Sequence, residues 1–199
     1  MSRLSEDFYY RRAKYSGFRS RASYKLLELN DKFKFFGKGQ FVVDLGAAPG
    51  GWTQVAAKKV GKEGTVLAID KAYIEPFKED NIIVFYQDIL NEKLGNIIKE
   101  RYGLIDVLIS DCAPNISGQY GRDHAIQNML AERALRLAQE ILKPDGDFVC
   151  KLFQGSETQE LIKETQQIFK IVKLFKPKAS RKKSSELYIY CHKFDNKNE

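Results

Sequence analysis

Short apolar runs and longer amphipathic segments alternate along the whole chain. The apolar runs are rich in β-branched residues, which is typical of buried strands, and they fall at residues 41–44, 65–70, 81–87, 106–111, 148–153, 171–175 and 187–191. The intervening segments have helical spacing or composition, at residues 20–29, 53–60, 91–102, 122–142 and 157–170. Residues 143–146, Lys-Pro-Asp-Gly, end the longest predicted helix. We therefore predict an α/β fold with helices on both faces of the sheet.

The length of the chain and its last connection refine this fold. A chain of 199 residues can bury one sizeable core, so we predict one domain over residues 1–194. A basic helical segment at 1–39 would belong to this domain, and residues 195–199 would form a polar tail. The connection at 176–185 is too short for a crossover helix, so the final strand should lie antiparallel to its predecessor.

A loop of small residues follows the first predicted strand. Gly46, Gly50 and Gly51 allow positive φ and let backbone N–H groups approach a ligand, as in a nucleotide-binding α/β unit. The spacing is not that of a dinucleotide site, because Ala48 stands two residues after Gly46 and Pro49 removes a donor. The loop also lacks the Gly-Lys-Ser/Thr of a P-loop. The loop spacing therefore disfavours a dehydrogenase. The alternative to a ligand-binding loop is an ordinary tight βα turn.

Three segments resemble the FtsJ/RrmJ-type ribose 2′-O-methyltransferases. Residues 44–52 resemble the S-adenosylmethionine loop of that family, residues 20–26 the segment with its first catalytic lysine, and residues 110–118 its Asp-x-Ala-Pro-Asn-x-Ser-Gly motif. The resemblance covers nearly the whole chain. It implies a Rossmann-like S-adenosylmethionine-dependent methyltransferase fold, with a mostly parallel seven-stranded sheet whose last strand is antiparallel. The implied activity is methylation of a ribose 2′-hydroxyl in RNA.

Acidic residues stand at the ends of three predicted strands. Ligands of open parallel sheets lie outside the carboxyl ends of the strands, so Asp70 is placed to bond ribose hydroxyls and Asp88 to accept from an adenine amino group. Either acid alone could instead cap a helix. The predicted cofactor-binding residues are Gly46, Ala48, Pro49, Gly50, Gly51, Trp52, Asp70, Asp88 and Asp111.

Two lysines stand at unusual positions. Lys151 interrupts an apolar strand, where an unpaired ammonium is costly to bury, and Lys25 lies close to the apolar stripe of a helix. Each could also face solvent, Lys151 from the wet side of a half-exposed strand. Matching the family motifs in order implies a catalytic tetrad of Lys25, Asp111, Lys151 and Glu186.

The resemblance also implies a role for each tetrad residue. Lys151 would be the base that accepts the proton of the 2′-hydroxyl, which requires a neutral amine. Lys25 would lower the pKa of Lys151 and orient the ribose. Asp111 and Glu186 would hold the lysines and the hydroxyl in position. Positioning should supply the larger share of the rate, because it turns a two-body step into a one-body step.

Basic residues are concentrated at two places in a chain of net charge +7. Residues 1–40 hold ten Lys/Arg and four Asp/Glu, interleaved with aromatics, and residues 173–183 hold six bases and no acid. Bases neutralise phosphates and aromatic faces stack on nucleobases, so both segments should face RNA. Solvated helix faces are the alternative. The predicted RNA-binding residues are Arg11, Arg12, Arg19, Arg21, Lys178, Arg181, Lys182 and Lys183.

The remaining composition bears on compartment and partners. Cys112, Cys150 and Cys191 lie in apolar contexts without paired spacing, which favours buried thiols in a reducing compartment. With two histidines the chain offers no zinc-ligand spacing, and the implied reaction needs no metal. No apolar run has the length of a membrane span, and the N-terminus lacks a signal-peptide core. We expect a cytoplasmic monomer that binds RNA and no membrane.

The loop after Asp111 bears on the RNA substrate. Residues 115–118 are more similar to the large-subunit rRNA enzymes than to the tRNA-anticodon branch, which implies a uridine of 23S rRNA, possibly within the large subunit, as the target. A tRNA ribose methyltransferase of the same family is the alternative. A non-catalytic RNA-binding ribosome-assembly factor would not need the complete tetrad. A metal-dependent small-molecule O-methyltransferase would need an acidic metal cluster.

Overall fold

The computed structural model describes residues 2–155, 158–181 and 184–195. Lys182 and Lys183 of the predicted RNA surface, and most of the predicted tail, lie outside these ranges. In the described part of the chain the helices and strands are α1 Ser2–Tyr15, α2 Ser23–Phe33, β1 Phe41–Leu45, α3 Gly51–Val60, β2 Thr65–Asp70, β3 Ile82–Tyr86, α4 Leu94–Tyr102, β4 Ile105–Ser110, α5 Tyr120–Ile141, β5 Leu142–Phe153, α6 Thr158–Ile168, β6 Phe169–Phe175 and β7 Glu186–Phe194.

One seven-stranded sheet organises these elements, in the order β3-β2-β1-β4-β5-β7-β6. Strands β1 to β5 pair in parallel, and β7 lies antiparallel between β5 and β6. The predicted sheet with an antiparallel last strand is therefore confirmed. The strand order reverses between β1 and β4, which is where open α/β sheets open a crevice at the carboxyl ends of their strands.

Two apolar layers cover the two faces of the sheet. Successive strand residues point to opposite faces, so Val43 packs with Leu94 of α4 and Ala138 of α5, whereas Val42 packs with Val55 of α3. The central strands are buried on both faces, and this explains why they appear in the sequence as continuous apolar runs.

Strand β5 begins earlier than predicted. The Lys-Pro-Asp-Gly stretch ends α5 at Ile141 as expected, but β5 already pairs with β4 at Leu142 and resumes at Asp147 after a shift in register. Asp145 has a φ of 60° in this bulge. The bulge brings Lys143 within 2.7 Å of Asp106 on β4, so the turn residues are fastened to the sheet by an ion pair.

Candidate active site

A cavity of about 530 Å³ opens at the carboxyl ends of the strands where their order reverses. Five of the predicted cofactor-binding residues are among those that line it, namely Gly46, Ala48, Asp70, Asp88 and Asp111. Gly46 has a φ of 71°, and a Cβ there would lie 2.6 Å from Cys112 Sγ, so only glycine fits where the loop passes β4. The volume suits a ligand of cofactor size.

Three further residues of the predicted loop, Gly50, Gly51 and Trp52, are buried and do not line the cavity. A Cβ on Gly50 would lie 2.5 Å from the ring of Phe77, and one on Gly51 would collide with Ser20 Oγ. Trp52 is buried beneath the loop, where its Nε1 donates to the Ala22 carbonyl at 2.9 Å. The ring of Trp52 therefore supports the loop from below, Trp52 is not among the residues that line the cavity, and its contact with a cofactor stays a prediction.

Asp70 and Asp88 lie at the cavity as predicted, and both also bond the backbone. Asp70 accepts from the Ala48 N–H at 3.0 Å and from the Ala72 N–H at 2.8 Å, so it shapes the loop after β1. Asp88 accepts from the Leu90 N–H at 3.0 Å and from Lys71 Nζ at 3.2 Å. The bond from Leu90 holds the pKa of Asp88 below its ordinary value.

Asp44, the last acid before the loop, has a feature that sequence reasoning missed. Its carboxyl group is fully buried and accepts from Thr53 Oγ1 at 2.7 Å, while in the described part of the chain its other oxygen has no partner. Burial raises the pKa of Asp44 to about 8, so the carboxyl group holds a proton below that pH. The sequence signal for this buried carboxyl group was the presence of an acid inside an apolar strand.

The four tetrad residues meet at one point beside the cavity. Lys25 comes from α2, Asp111 follows β4, Lys151 lies on β5 and Glu186 begins β7. Lys151 Nζ lies 2.6 Å from Asp111 Oδ1 and 3.9 Å from Glu186 Oε2. Lys25 Nζ lies 2.7 Å from Glu186 Oε1. Two buried ammonium groups and two carboxylates thus alternate, and the predicted solvent-facing alternatives do not hold for either lysine.

Tyr188 is a fifth member of this cluster, which sequence reasoning missed. Its hydroxyl donates to Asp111 Oδ1 at 2.7 Å and accepts from Lys25 Nζ at 3.3 Å. The contacts therefore form a closed ring from Lys151 through Asp111, Tyr188, Lys25 and Glu186 back to Lys151. We call these five residues the catalytic ring, after the role that the family resemblance implies for four of them. Glu186 and Tyr188 are two apart on β7 and share one face, a period-two signal that was present in the sequence.

The charges in the catalytic ring shift one another's protonation. Burial disfavours the charge of Lys151, but Asp111 and Glu186 outweigh it and raise the pKa of Lys151 above its ordinary value. Burial likewise opposes the charge of Asp111, yet Lys151 and Lys25 hold the pKa of Asp111 below its ordinary value. The two carboxylates therefore outweigh any lowering of the pKa of Lys151 by Lys25, and the predicted effect of Lys25 on Lys151 stays a prediction.

With this geometry in place, comparison with known proteins identifies the family. Residues 18–194 match the FtsJ-like methyltransferase family. The chain belongs to that family. A protein of Methanothermobacter thermautotrophicus named ribosomal RNA large subunit methyltransferase E is 46% identical over 192 residues, 96% of this chain and 91% of the relative. A protein of the same name from Methanocaldococcus jannaschii is 42% identical over 195 residues, 96% of this chain and 80% of the relative.

The fold comparison agrees with the sequence comparison. A crystal structure described as that of a ribosomal RNA methyltransferase from Plasmodium falciparum has a TM-score of 0.79 and 27% identity, and the match covers 89% of this chain and 98% of the other. The family resemblance and the Rossmann-like methyltransferase fold predicted from sequence motifs are both confirmed.

The two basic segments of this FtsJ-like methyltransferase lie side by side. Glu28 of α2 accepts from the backbone N–H groups of Lys178 and Ala179, at 2.6 and 3.1 Å, and Ala179 packs with Ala13 of α1. The structure thus brings together the exposed predicted residues Arg11, Arg12, Lys178 and Arg181 and the half-exposed Arg21. We call this set the basic surface.

Arg19, one of the predicted RNA-binding residues, bonds the loop after β1. Its guanidinium donates to the carbonyl oxygens of Pro49 at 3.2 Å, Glu75 at 2.6 Å and Pro76 at 2.6 Å. It also lies 3.8 Å from the ring centroid of Phe77. Arg19 therefore joins the segment before α2 to the cavity loop and to the connection after β2, and its contact with RNA stays a prediction.

Other expectations bear on metals, thiols and membranes. Within the described ranges, no group of three or more His, Cys, Asp or Glu side chains is arranged to hold a metal ion. Cys112, Cys150 and Cys191 are buried and free, as predicted. Burial raises the pKa of Cys112 to about 12, so this thiol beside the cavity is protonated at neutral pH. Among the described helices, none has the length and apolar character required to cross a bilayer.

Proposed function

We propose that this protein transfers a methyl group from S-adenosylmethionine to a ribose 2′-hydroxyl of large-subunit (23S) rRNA, at a uridine. The observation that carries the proposal is the position of Asp111, which lines the cavity and also belongs to the catalytic ring. A methyl donor in the cavity and a hydroxyl at the ring would therefore meet at one residue. The relatives named ribosomal RNA large subunit methyltransferase E support rRNA as the substrate.

The residues of the cavity fit this cofactor. The carboxylates of Asp70 and Asp88 can accept hydrogen bonds from ribose hydroxyls and an amino group, and Gly46 leaves the loop without a Cβ where it borders the cavity. When bound, S-adenosylmethionine supplies a methyl group on a positively charged sulfur. Asp111 offers a carboxylate at the border between cavity and ring.

The catalytic ring can bind, orient and deprotonate a hydroxyl group. Lys151 is fixed by its ion pair and by a 2.8 Å hydrogen bond to the Asp111 carbonyl, so its nitrogen is held at one place. To accept the hydroxyl proton, Lys151 must first lose its own, and the carboxylates that raise its pKa oppose this step. Transfer should therefore speed up with rising pH. Orientation of the hydroxyl by the ring supplies the larger part of the rate.

The basic surface supports RNA as the substrate, because its bases come from both ends of the chain and lie together next to α2, the helix that carries Lys25. Lysines and arginines gathered on one face are the electrostatic signature of a polyanion site. Cytoplasmic localisation and a monomeric state accord with such a substrate and are part of the proposal.

The proposal is tested with methyl-labelled cofactor and unmodified 23S rRNA, supplied both as a transcript and within large subunits from cells lacking the modification. We expect label in one nucleotide that resists alkaline cleavage, because a 2′-O-methyl group blocks the attack of that oxygen on the phosphate. A tRNA transcript serves as the competing substrate. Label on a base, or only in tRNA, would contradict the proposal.

A further inference from the structure

An exposed aromatic ring stands at the start of α5, beside the catalytic ring. Tyr120 is 68% exposed, one of the largest exposed fractions among the aromatic residues of the described chain. Its ring lies 3.9 Å from that of His124, centroid to centroid, with an angle of 31° between the planes. One face of Tyr120 is thus covered by His124, and the rest is open to solvent.

The support behind Tyr120 continues inward to the catalytic lysine. His124 is buried, and its ring lies 5.2 Å from that of Phe153 on β5. Phe153 is two residues after Lys151, so both side chains leave β5 on the same face. A row of three rings, Phe153, His124 and Tyr120, therefore leads from Lys151 to the surface; we call it the aromatic row.

Helix α5 is fixed against β5 at this position. Gln127, three residues after His124, donates from Nε2 to the carbonyl of Lys151 at 3.0 Å. Tyr120 lies one helical turn before His124, which places it about 6 Å further along the axis toward the carboxyl edge of the sheet. The aromatic row is thus in register with the lysine that we assign as base.

The loop that precedes Tyr120 is fastened in place. Asp123 accepts from Ser117 Oγ at 2.7 Å and from the backbone N–H groups of Ser117 at 3.0 Å and Gly118 at 3.2 Å. Ile116 of the same loop is 69% exposed. The ring of Tyr120 is therefore presented by an ordered helix start and is supported from behind by His124.

We propose that Tyr120 is a stacking platform for a nucleobase of the substrate RNA, at the methylated nucleotide or at one next to it. This inference rests on the proposed function. Bases stack on aromatic faces with little regard to sequence, and a ring supported from behind loses little freedom when a base covers it. Stacking would hold the strand so that one ribose lies at the catalytic ring.

The test compares Tyr120→Leu, which keeps an apolar side chain without a π face, with Tyr120→Phe, which keeps the ring. Tyr73→Leu is the matched control, because Tyr73 is 66% exposed and lies near the opposite, β3 edge of the sheet. The probe is a large-subunit rRNA fragment that the unsubstituted protein methylates. We expect Tyr120→Leu to raise the KM for RNA at least about fivefold, the low end of measured stacking contributions. Tyr120→Phe, Tyr73→Leu and every KM for S-adenosylmethionine should stay within about twofold of the unsubstituted protein.

Abasic RNAs identify the stacked nucleotide. One base at a time is removed from the methylated nucleotide and its two neighbours. At one of these positions the loss of the base should raise the KM for RNA of the unsubstituted protein, and Tyr120→Leu should raise the KM for that abasic RNA no further. Unchanged kinetics for Tyr120→Leu would overturn this inference but not the proposed function. A parallel rise in the KM for S-adenosylmethionine would also overturn the inference, because it would indicate a purely structural role for Tyr120. Failure of the unsubstituted protein to methylate any large-subunit rRNA would overturn the proposed function and this inference with it.

Discussion

Lys151 and Asp111 form a buried ion pair in which each partner stabilises the charge of the other. The pKa of the lysine is raised and that of the carboxyl group is lowered, although burial works against both charges. Removing one partner of such a pair leaves an unpaired buried charge, which is strongly destabilising. Substitutions in the catalytic ring must therefore be checked for folding before their kinetics are interpreted.

Asp44 carries a prediction about stability and pH. Its pKa is raised from 3.8 to about 8 by burial, so the folded protein holds a proton that the unfolded chain releases. The stability from this proton is fully present below about pH 4 and is lost as the pH rises toward 8. Asp44→Asn keeps a neutral acceptor for Thr53 and removes the titration. The unfolding free energy of Asp44→Asn should therefore increase relative to that of the unsubstituted protein as the pH rises from about 4 to about 8.

Denaturant unfolding of the cofactor-free protein at several pH values measures this difference. Asp80→Asn, at an exposed acid outside the cavity lining, is the control and should show a flat difference. A flat difference for Asp44→Asn as well would show that the buried carboxyl group is ionised throughout.

Sequence and structure contributed different parts of the site at the residue scale. Lys25, Asp111, Lys151 and Glu186 could be predicted because each stands in a short motif whose order along the chain is fixed. The direction of the pKa shift of Lys151 could not be predicted, because it depends on which charged groups lie near its ammonium. The structure places Asp111 Oδ1 2.6 Å from Lys151 Nζ. The bonds that Arg19 makes to the cavity loop could not be predicted either, because its carbonyl partners are 30 to 57 residues away in sequence.

At the scale of elements, the segment between α1 and α2 connects the basic surface to the cavity loop. The backbone N–H of Arg19 donates to Gln54 on α3 at 2.8 Å, and its guanidinium bonds the loop at Pro49 and the connection after β2. The cavity loop is therefore held on its outer side by a single arginine side chain.

Arg19→Ala should weaken S-adenosylmethionine binding about tenfold, because the loop loses charge-assisted hydrogen bonds that fix its shape. Calorimetric titration of the cofactor measures this effect. Arg21→Ala, two residues along the same segment, should bind the cofactor with the affinity of the unsubstituted protein. Equal affinities for Arg19→Ala and the unsubstituted protein would mean that the loop holds its shape without the arginine.

Element positions were largely predictable, and their ends less so. Strand β2 has the predicted bounds because an apolar run defines a buried parallel strand, whereas β1 continues one residue past the predicted end at Asp44, to Leu45. Helix α3 begins at Gly51, two residues earlier than its composition indicated, since glycines that allow the close contact with α2 also belong to its first turn. The bulge in β5 depends on pairing with β4, which a local pattern cannot show.

At the scale of the whole molecule, the two ends of the chain form one basic surface. Glu28 bonds the backbone of the connection that carries Lys178, and α1 packs on the same connection through Ala13. The two basic segments meet beside α2, which carries Lys25, and the connection that carries Lys178 leads into β7, which begins at Glu186.

RNA affinity should fall steeply with salt, because basic side chains displace counterions from phosphates. Replacing Lys178, Arg181, Lys182 and Lys183 together by alanine should flatten the slope of log K against log salt by up to about 3. A matched set of exposed lysines outside the basic surface, Lys62, Lys78, Lys93 and Lys99, should leave the slope unchanged. Equal slopes for the two quadruple variants would mean that the basic residues of the connection at 176–185 do not contact RNA.

The central claim, that Lys151 is the base for ribose methylation, is tested most directly by single-turnover methyl transfer as a function of pH. The rate of the unsubstituted protein should rise with pH and continue to rise above neutrality, since the raised pKa keeps Lys151 protonated there. Lys151→Ala and Lys151→Arg should bind cofactor and RNA yet lose nearly all transfer, because a guanidinium keeps its proton at any working pH. Lys143→Ala, at an exposed lysine of the same strand, should transfer at the unsubstituted rate. A folded Lys151→Arg variant that retains more than about a tenth of the rate, a barrier change below about 1.4 kcal/mol, would contradict the assignment of Lys151 as the base.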